Sequence, residues 1–189
     1  MTRAVLFIEN GDSFSWNVID ALPVPRAEIL IRSGREVALD PTCLDRVGVV
    51  VVGPGPTDPV RAGIADLIPA AAAMALPLLG ICLGHQALGL ANGARLVRTR
   101  PVHGKRALIT FERARLFPGI VGPHSVMRYH SLSLEGVVPP LRVVATTADG
   151  IPMAIEHEWL PMAGLQFHPD SFGTPAGRRM LEAFFEAVS

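Results

Sequence analysis

The chain has 189 residues, 49% of them apolar and only 18% charged, which is enough to bury a sizeable core in one domain and suits a sheet covered on both faces. Seventeen Lys and Arg balance seventeen Asp and Glu, with no basic run, so the electrostatic footprint of a nucleic-acid or anionic-membrane binder is excluded. Two cysteines, Cys43 and Cys82, are too few for a disulfide framework, and the N-terminus has no long apolar stretch with a cleavage site, so a cytoplasmic location is expected.

Ala4 to Glu9 is a short apolar run that predicts a central strand, with Asp12 or Ser13 placed to cap a helix running to about Leu22. Ala27 to Arg32 and Val47 to Val52 predict two further strands, the second leaving into the turn Gly53-Pro54-Gly55-Pro56. From Leu67 to Ala94 there is no Asp, Glu, Lys or Arg, long enough to pass for a membrane span. Pro69 and Pro77 break it, however, and His85-Gln86 would sit unpaired in lipid. It parses better as an alanine-rich helix ending near Ala75, a buried strand from Pro77 to Ile81, and a helix from Leu83 to Ala91 closed by Asn92-Gly93. Beyond Gly93 the pattern predicts shorter antiparallel strands at Ala94 to Arg98, Ala107 to Phe111, Val126 to Tyr129, Leu141 to Thr147 and Met153 to His157. Ala163 to Phe167 follows as a strand, and a helix from about Pro175 to Val188 packs Met180, Leu181, Phe184, Phe185 and Val188. Residues 1–189 read as one domain without repeats, linkers or low-complexity stretches.

Two clusters carry chemistry. In Leu78 to Gln86 a buried strand turns sharply into a helix with Cys82 on the corner, flanked two residues away by Gly80 and Gly84. A nucleophile belongs at such a corner, where glycines permit close approach of backbone and substrate. The N–H of Leu83, at the helix start, favours a thiolate and then an oxyanion. The plain alternative is that Cys82 is one more small buried apolar residue. The second cluster, Gly164 to Ser171, argues against that: a cysteine nucleophile needs a base, and the base needs a third group to orient it. His168 and Asp170, at i and i+2 of an extended strand end, would project to one face in those roles.

With these motifs, and with Ile8 to Phe14, Gly53 to Pro56, Val102 to Lys105, Arg128 to Leu132 and Gln166 to Ser171 in order along nearly the whole chain, the sequence resembles the class I, triad-type glutamine amidotransferases. It is most similar in pattern to the small glutaminase subunits of anthranilate synthase and aminodeoxychorismate synthase. The resemblance implies an α/β fold, an open twisted mixed sheet with helices on both faces and a smaller antiparallel portion. It also implies hydrolysis of L-glutamine to glutamate and ammonia through a Cys82 thioester, with His168 and Asp170 completing a Cys-His-Asp triad. Gly55 and Leu83 would donate to the oxyanion, while Gly55, Pro56, Thr57, Gln86, Ser131 and Leu132 would hold glutamine. The implied partner is the large subunit of a chorismate-using synthase; Mg2+ is expected on that partner, and no cofactor or metal on this chain. Glutamine is named by the resemblance and not by the spacing. The alternatives are an amidotransferase for another acceptor, a free-standing γ-glutamyl hydrolase and a catalytically silent regulatory subunit.

The sequence departs from the family pattern in places. Asp170 stands where Glu is usual, one methylene shorter; Thr57 replaces a common Gly; Gly11 replaces an aromatic; and the segment between the first helix and Ala27 is short. His85, beside the corner, reads as a packing residue, and His103, His124, His130 and His157 lack metal-ligand spacing. Phe14 and Trp16 read either as core aromatics or, by the resemblance, as part of the face toward the synthase.

Overall fold

The computed structural model describes residues 4–189, so the first three residues of the expected single-domain span lie outside the described residues. In chain order the elements are β1 (Val5–Glu9), α1 (Ser15–Ala21), β2 (Ile29–Ser33), α2 (Gly34–Leu39), β3 (Val49–Val52), α3 (Leu67–Ala73), β4 (Leu78–Ile81), α4 (Leu83–Ala91), β5 (Arg95–Phe111), β6 (Gly122–Glu135), β7 (Leu141–Thr147), β8 (Pro152–His157), β9 (Met162–Leu165) and α5 (Gly177–Val188). Among the described residues the nine strands form one sheet in the order β2-β1-β3-β4-β9-β8-β7-β5-β6. From β2 to β9 neighbours are parallel, and from β9 to β6 they are antiparallel. This is the expected mixed sheet with an antiparallel portion.

The apolar runs explain the layering. Successive side chains of a strand point to opposite faces, so Val5 and Phe7 of β1 enter one core while Leu6 and Ile8 enter the other. Val18 and Ile19 of α1 and Met180, Leu181 and Phe184 of α5 cover the first face. Val37 of α2, Ile68 of α3 and Leu83 and Leu88 of α4 cover the second. Each such Leu, Ile or Phe contributes about 1.5–3 kcal/mol when fully buried, which is why the four consecutive valines of β3 suit a central strand.

Several boundaries depart from expectation. Neither Asp12 nor Ser13 caps α1; Phe14 is the N-cap and has no side-chain bond, while Asp12 Oδ1 accepts from the Phe14 N–H at 2.8 Å, one turn earlier. The strand expected from Ala27 begins at Ile29, behind a 3-10 turn over Arg26–Glu28. The strands expected at Ala94 to Arg98 and Ala107 to Phe111 are one long strand, β5, which crosses Pro101 and Gly104 through two register shifts against β6. Pro and Gly weaken a strand signal, and bulges absorb them. Helix α2 has no counterpart among the expected elements, although it opens on a capping box. The Ser33 hydroxyl accepts from the Glu36 N–H at 3.3 Å, and the Glu36 carboxylate accepts from the Ser33 N–H at 2.6 Å. The apolar stretch from Leu67 to Ala94 is divided into α3, β4 and α4, and among the described residues no helix is long and apolar enough to cross a membrane.

Candidate active site

Because β1, β3, β4 and β9 are parallel, their carboxyl ends share one edge, the place where open sheets bind ligands. Asn10, the Gly53 turn, Cys82 and Gln166 to Asp170 leave from it. Cys82 forms the corner between β4 and α4 with φ 52° and ψ −94°. That left-handed backbone costs about 1–3 kcal/mol for a residue with a side chain, a strain that clusters at functional sites. The corner is pinned by the Cys82 N–H donating to the Leu165 carbonyl at 2.8 Å and by the Gln86 N–H donating to the Cys82 carbonyl at 3.1 Å.

The flanking glycines are needed here for backbone clearance. A Cβ on Gly80 would lie 2.3 Å from the Gly84 carbonyl, and one on Gly84 would lie 2.3 Å from the Val52 carbonyl of β3. Gly84→Ala is therefore expected to destabilise the fold by about 1–3 kcal/mol or more, as overpacking does, seen as a lowered denaturant midpoint. An unchanged midpoint would mean that α4 has room to shift.

His168 lies past the end of β9, not on it. Its N–H donates to the Met127 carbonyl of β6 at 3.1 Å, and its carbonyl accepts from the Thr174 hydroxyl at 2.8 Å. The imidazole is wedged between the rings of Phe14 and Tyr129, whose centroids are 5.4 and 5.0 Å away. Asp170 sits in the following turn rather than on the extended strand end foreseen. Its shorter side chain nevertheless reaches: Oδ1 is 3.3 Å from His168 Nδ1, both side chains being buried. The pair lies within ion-pair distance but is not aligned as a hydrogen bond, and neither carboxylate oxygen has another partner. Burial disfavours the imidazolium, but the Asp170 carboxylate and the Cys82 sulfur, both within reach of the ring, outweigh it and raise the His168 pKa to about 10.

Gly55, Pro56, Thr57, Cys82, Gln86, Ser131, Leu132 and His168 line one cleft of about 1100 Å³. Of the site residues named from sequence, only Leu83 and Asp170 lie behind its wall. Asn10 anchors the Gly53 turn by donating from Nδ2 to the Gly53 carbonyl at 3.0 Å. Gly55 packs so closely that a Cβ there would meet Leu83 Cδ2 at 2.5 Å. Leu83, the first residue of α4, has an N–H without an intrahelical acceptor.

Sequence reasoning missed two polar braces. Gln86 Nε2 donates to the Leu132 carbonyl and to Gln166 Oε1, both at 3.3 Å, and Gln166 Nε2 lies 3.7 Å from Cys82 Sγ. Arg128 Nε donates to His130 Nε2 at 3.0 Å, leaving His130 Nδ1–H to donate to the Leu132 carbonyl at 2.9 Å. Burial, then Arg128, lowers the His130 pKa to about 4, so this tautomer is held. The signal for Gln166 was its position two residues before His168, on the same face of an extended segment. His85 is fully buried on the side of α4 that faces Gly164 of β9, and burial lowers its pKa to about 3. It is the packing residue that the sequence indicates. Phe14 and Trp16 are not core: Phe14 lines the cleft, and Trp16 is 54% exposed under the Arg26 guanidinium. Among the described residues no group of three His, Cys, Asp or Glu is arranged to hold a metal ion.

Comparison with known proteins places this geometry. The family profile "Glutamine amidotransferase class-I" matches residues 6–188. The chain is 39% identical over 188 residues to anthranilate synthase component 2 of Azospirillum brasilense, covering 97% of this chain and 96% of that protein. It is 40% identical over 183 residues to the aminodeoxychorismate synthase of Streptomyces griseus, covering 95% of this chain but only 25% of that longer protein. In fold it is similar to the crystal structure of a Thermoplasma acidophilum protein that carries a provisional GMP synthase assignment. The TM-score is 0.87 at 19% identity, over 100% of this chain and 94% of the other.

Proposed function

The chain belongs to the class I glutamine amidotransferases, and on that premise we propose that it is the glutaminase component of a chorismate-using synthase, with Cys82, His168 and Asp170 as its triad. The observation that carries this reading is the strained Cys82 corner facing His168 in the cleft. The near full-length similarity to a protein named component 2 of anthranilate synthase supports the partner.

The chemistry follows from the placement of the groups. The Cys82 thiol gives its proton to His168, whose raised pKa keeps the imidazolium populated at neutral pH. The sulfur attacks the side-chain carboxamide carbon of glutamine, and the resulting oxyanion meets the Leu83 N–H at the positive end of α4, with the Gly55 backbone opposite. His168 then protonates the leaving nitrogen, and ammonia departs. A water attacks the γ-glutamyl thioester and gives a proton to His168; glutamate leaves and the thiol is restored. Gln86, the Ser131-Leu132 backbone and the Gly55-Pro56-Thr57 turn hold the amino-acid end of the substrate. The cleft is larger than one glutamine requires, and its outer wall carries Arg61, Arg98 and His103, a rim that a large subunit would close.

An unpartnered glutaminase would lose ammonia to solvent, so the isolated chain is expected to release glutamate slowly. Saturating large subunit of anthranilate or aminodeoxychorismate synthase, with chorismate, should raise the rate about 10- to 100-fold, the scale of ordinary allosteric coupling. Full turnover by the chain alone, unchanged by either subunit, would favour the free-standing hydrolase. Stimulation only by an unrelated synthase would assign another acceptor.

A further inference from the structure

Gln166 is a fully buried carboxamide with no place in the triad. We propose that it is a catalytic residue, whose side-chain N–H donates to the Cys82 sulfur and holds it as a thiolate in line with the substrate. The proposal rests on Cys82 being the nucleophile.

The strand register puts the two residues together. Ile81 of β4 pairs with Leu165 of β9, so Cys82 and Gln166 follow side by side as the parallel strands end. The Gln166 N–H donates to the Met153 carbonyl at 2.9 Å, which continues the strand by one residue and fixes where the side chain starts. Alternation then aims Gln166 and His168 at the same face.

The orientation of the amide is set by its neighbours. Gln86 Nε2 can only donate, and it faces both the Leu132 carbonyl and Gln166 Oε1. Gln166 must accept there through oxygen, which turns its NH₂ group toward Sγ at 3.7 Å, a hydrogen-bond distance for sulfur. The opposite flip would set NH₂ against NH₂ at one end and a carbonyl against the sulfur lone pairs at the other. A hydrogen bond donated to a charged form favours that form, and a buried amide N–H needs an acceptor. The thiolate is thus gripped by His168 on one side and by Gln166 on the other. The relay through Gln86 ties this grip to the Leu132 carbonyl, beside the backbone that holds glutamine.

The titratable and charged groups packed around the sulfur are few. His168 and, behind it, Asp170 come from the segment after β9; His85 comes from α4, and His130 of β6 acts on His168. His85 and His130 stay neutral at ordinary pH, so any shift in sulfur reactivity that is tied to position 166 has a single source.

The test is alkylation of the isolated chain by iodoacetamide across pH, read by mass on the Cys82 peptide so that Cys43 does not contribute. In Gln166→Leu the midpoint of the rate profile should move up by about one pH unit, and the rate at pH 7 should fall about tenfold. Gln166→Met, unbranched and close in volume, serves as the second variant if Leu does not fold, and should show the same shift with a melting temperature near that of the parent. Profiles that superimpose on the parent's would overturn the proposal. Iodoacetamide needs neither glutamine nor a partner. A shifted profile in a chain that never hydrolyses glutamine would therefore sink the glutaminase reading and leave this one standing.

Discussion

Cys82→Ser is expected to abolish glutamine-dependent synthesis by the assembled complex, by about 10³-fold or more, while leaving the partner's ammonia-dependent synthesis unchanged. Only ammonia release needs the sulfur nucleophile; a serine hydroxyl at the same corner has no group basic enough to ionise it and is intrinsically a poorer attacker. The substitution is nearly isosteric, so the φ of 52° and the backbone bonds to Leu165 and Gln86 persist, and stability should change little. Parallel assays with glutamine and with ammonium salt separate the two activities. Equal loss of both would make Cys82 a structural residue. A diazo-ketone analogue of glutamine should in turn add one covalent mass to the parent protein at Cys82; labelling at Cys43 would move the nucleophile elsewhere.

What can be read from the sequence is the part in which local pattern and chemistry coincide. Leu83 to Ala91 reads as a helix, and α4 spans those residues, because the corner at Cys82 and the stop at Asn92-Gly93 are both written in residue types. The cleft-lining residues share one edge because parallel strands put their carboxyl ends there. What escapes is set by long-range pairing. The antiparallel half reads as short pieces, since Pro101 and Gly104 interrupt a strand that only its partner β6 holds together. Spacing alone has Asp170 reaching the imidazole along an extended strand; it does so from a turn, because the bridge between His168 and Met127 bends the chain there. The role of Gln166 depends on the register between β4 and β9, which no local signal contains. Ser33-Gly34-Arg35-Glu36 is the reverse case: the capping signature is present, but the helix it opens is six residues long, too short for hydrophobic periodicity to mark.

His168→Ala is expected to lower glutamine hydrolysis about 10²- to 10⁴-fold, the usual contribution of a positioned proton carrier, and Asp170→Asn to cost less, about 10- to 100-fold. In a serine triad the carboxylate selects the histidine tautomer. Here the pKa of about 10 means that His168 carries both ring protons at neutral pH and has no tautomer to choose. The carboxylate therefore supplies orientation and charge, and does so across 3.3 Å without hydrogen-bond alignment. Asp170→Glu should be tolerated, because one more methylene lets the carboxylate close that gap. The pH dependence has a definite sign. The folded-state pKa of His168 lies above its unfolded value of about 6.5, so the protonated ring stabilises the fold fully below that value, and the contribution is lost as pH rises through about 10. Asp170→Asn removes one of the two groups holding the proton, so both the alkaline limb of activity and the alkaline loss of stability should move toward neutral pH. The check is kcat/KM and denaturant midpoint for parent and Asp170→Asn between pH 6 and 10.5. An alkaline limb that stays in place would show that the sulfur alone holds the proton. A rate loss for Asp170→Asn equal to that for His168→Ala would show that the carboxylate takes part in the proton transfers themselves.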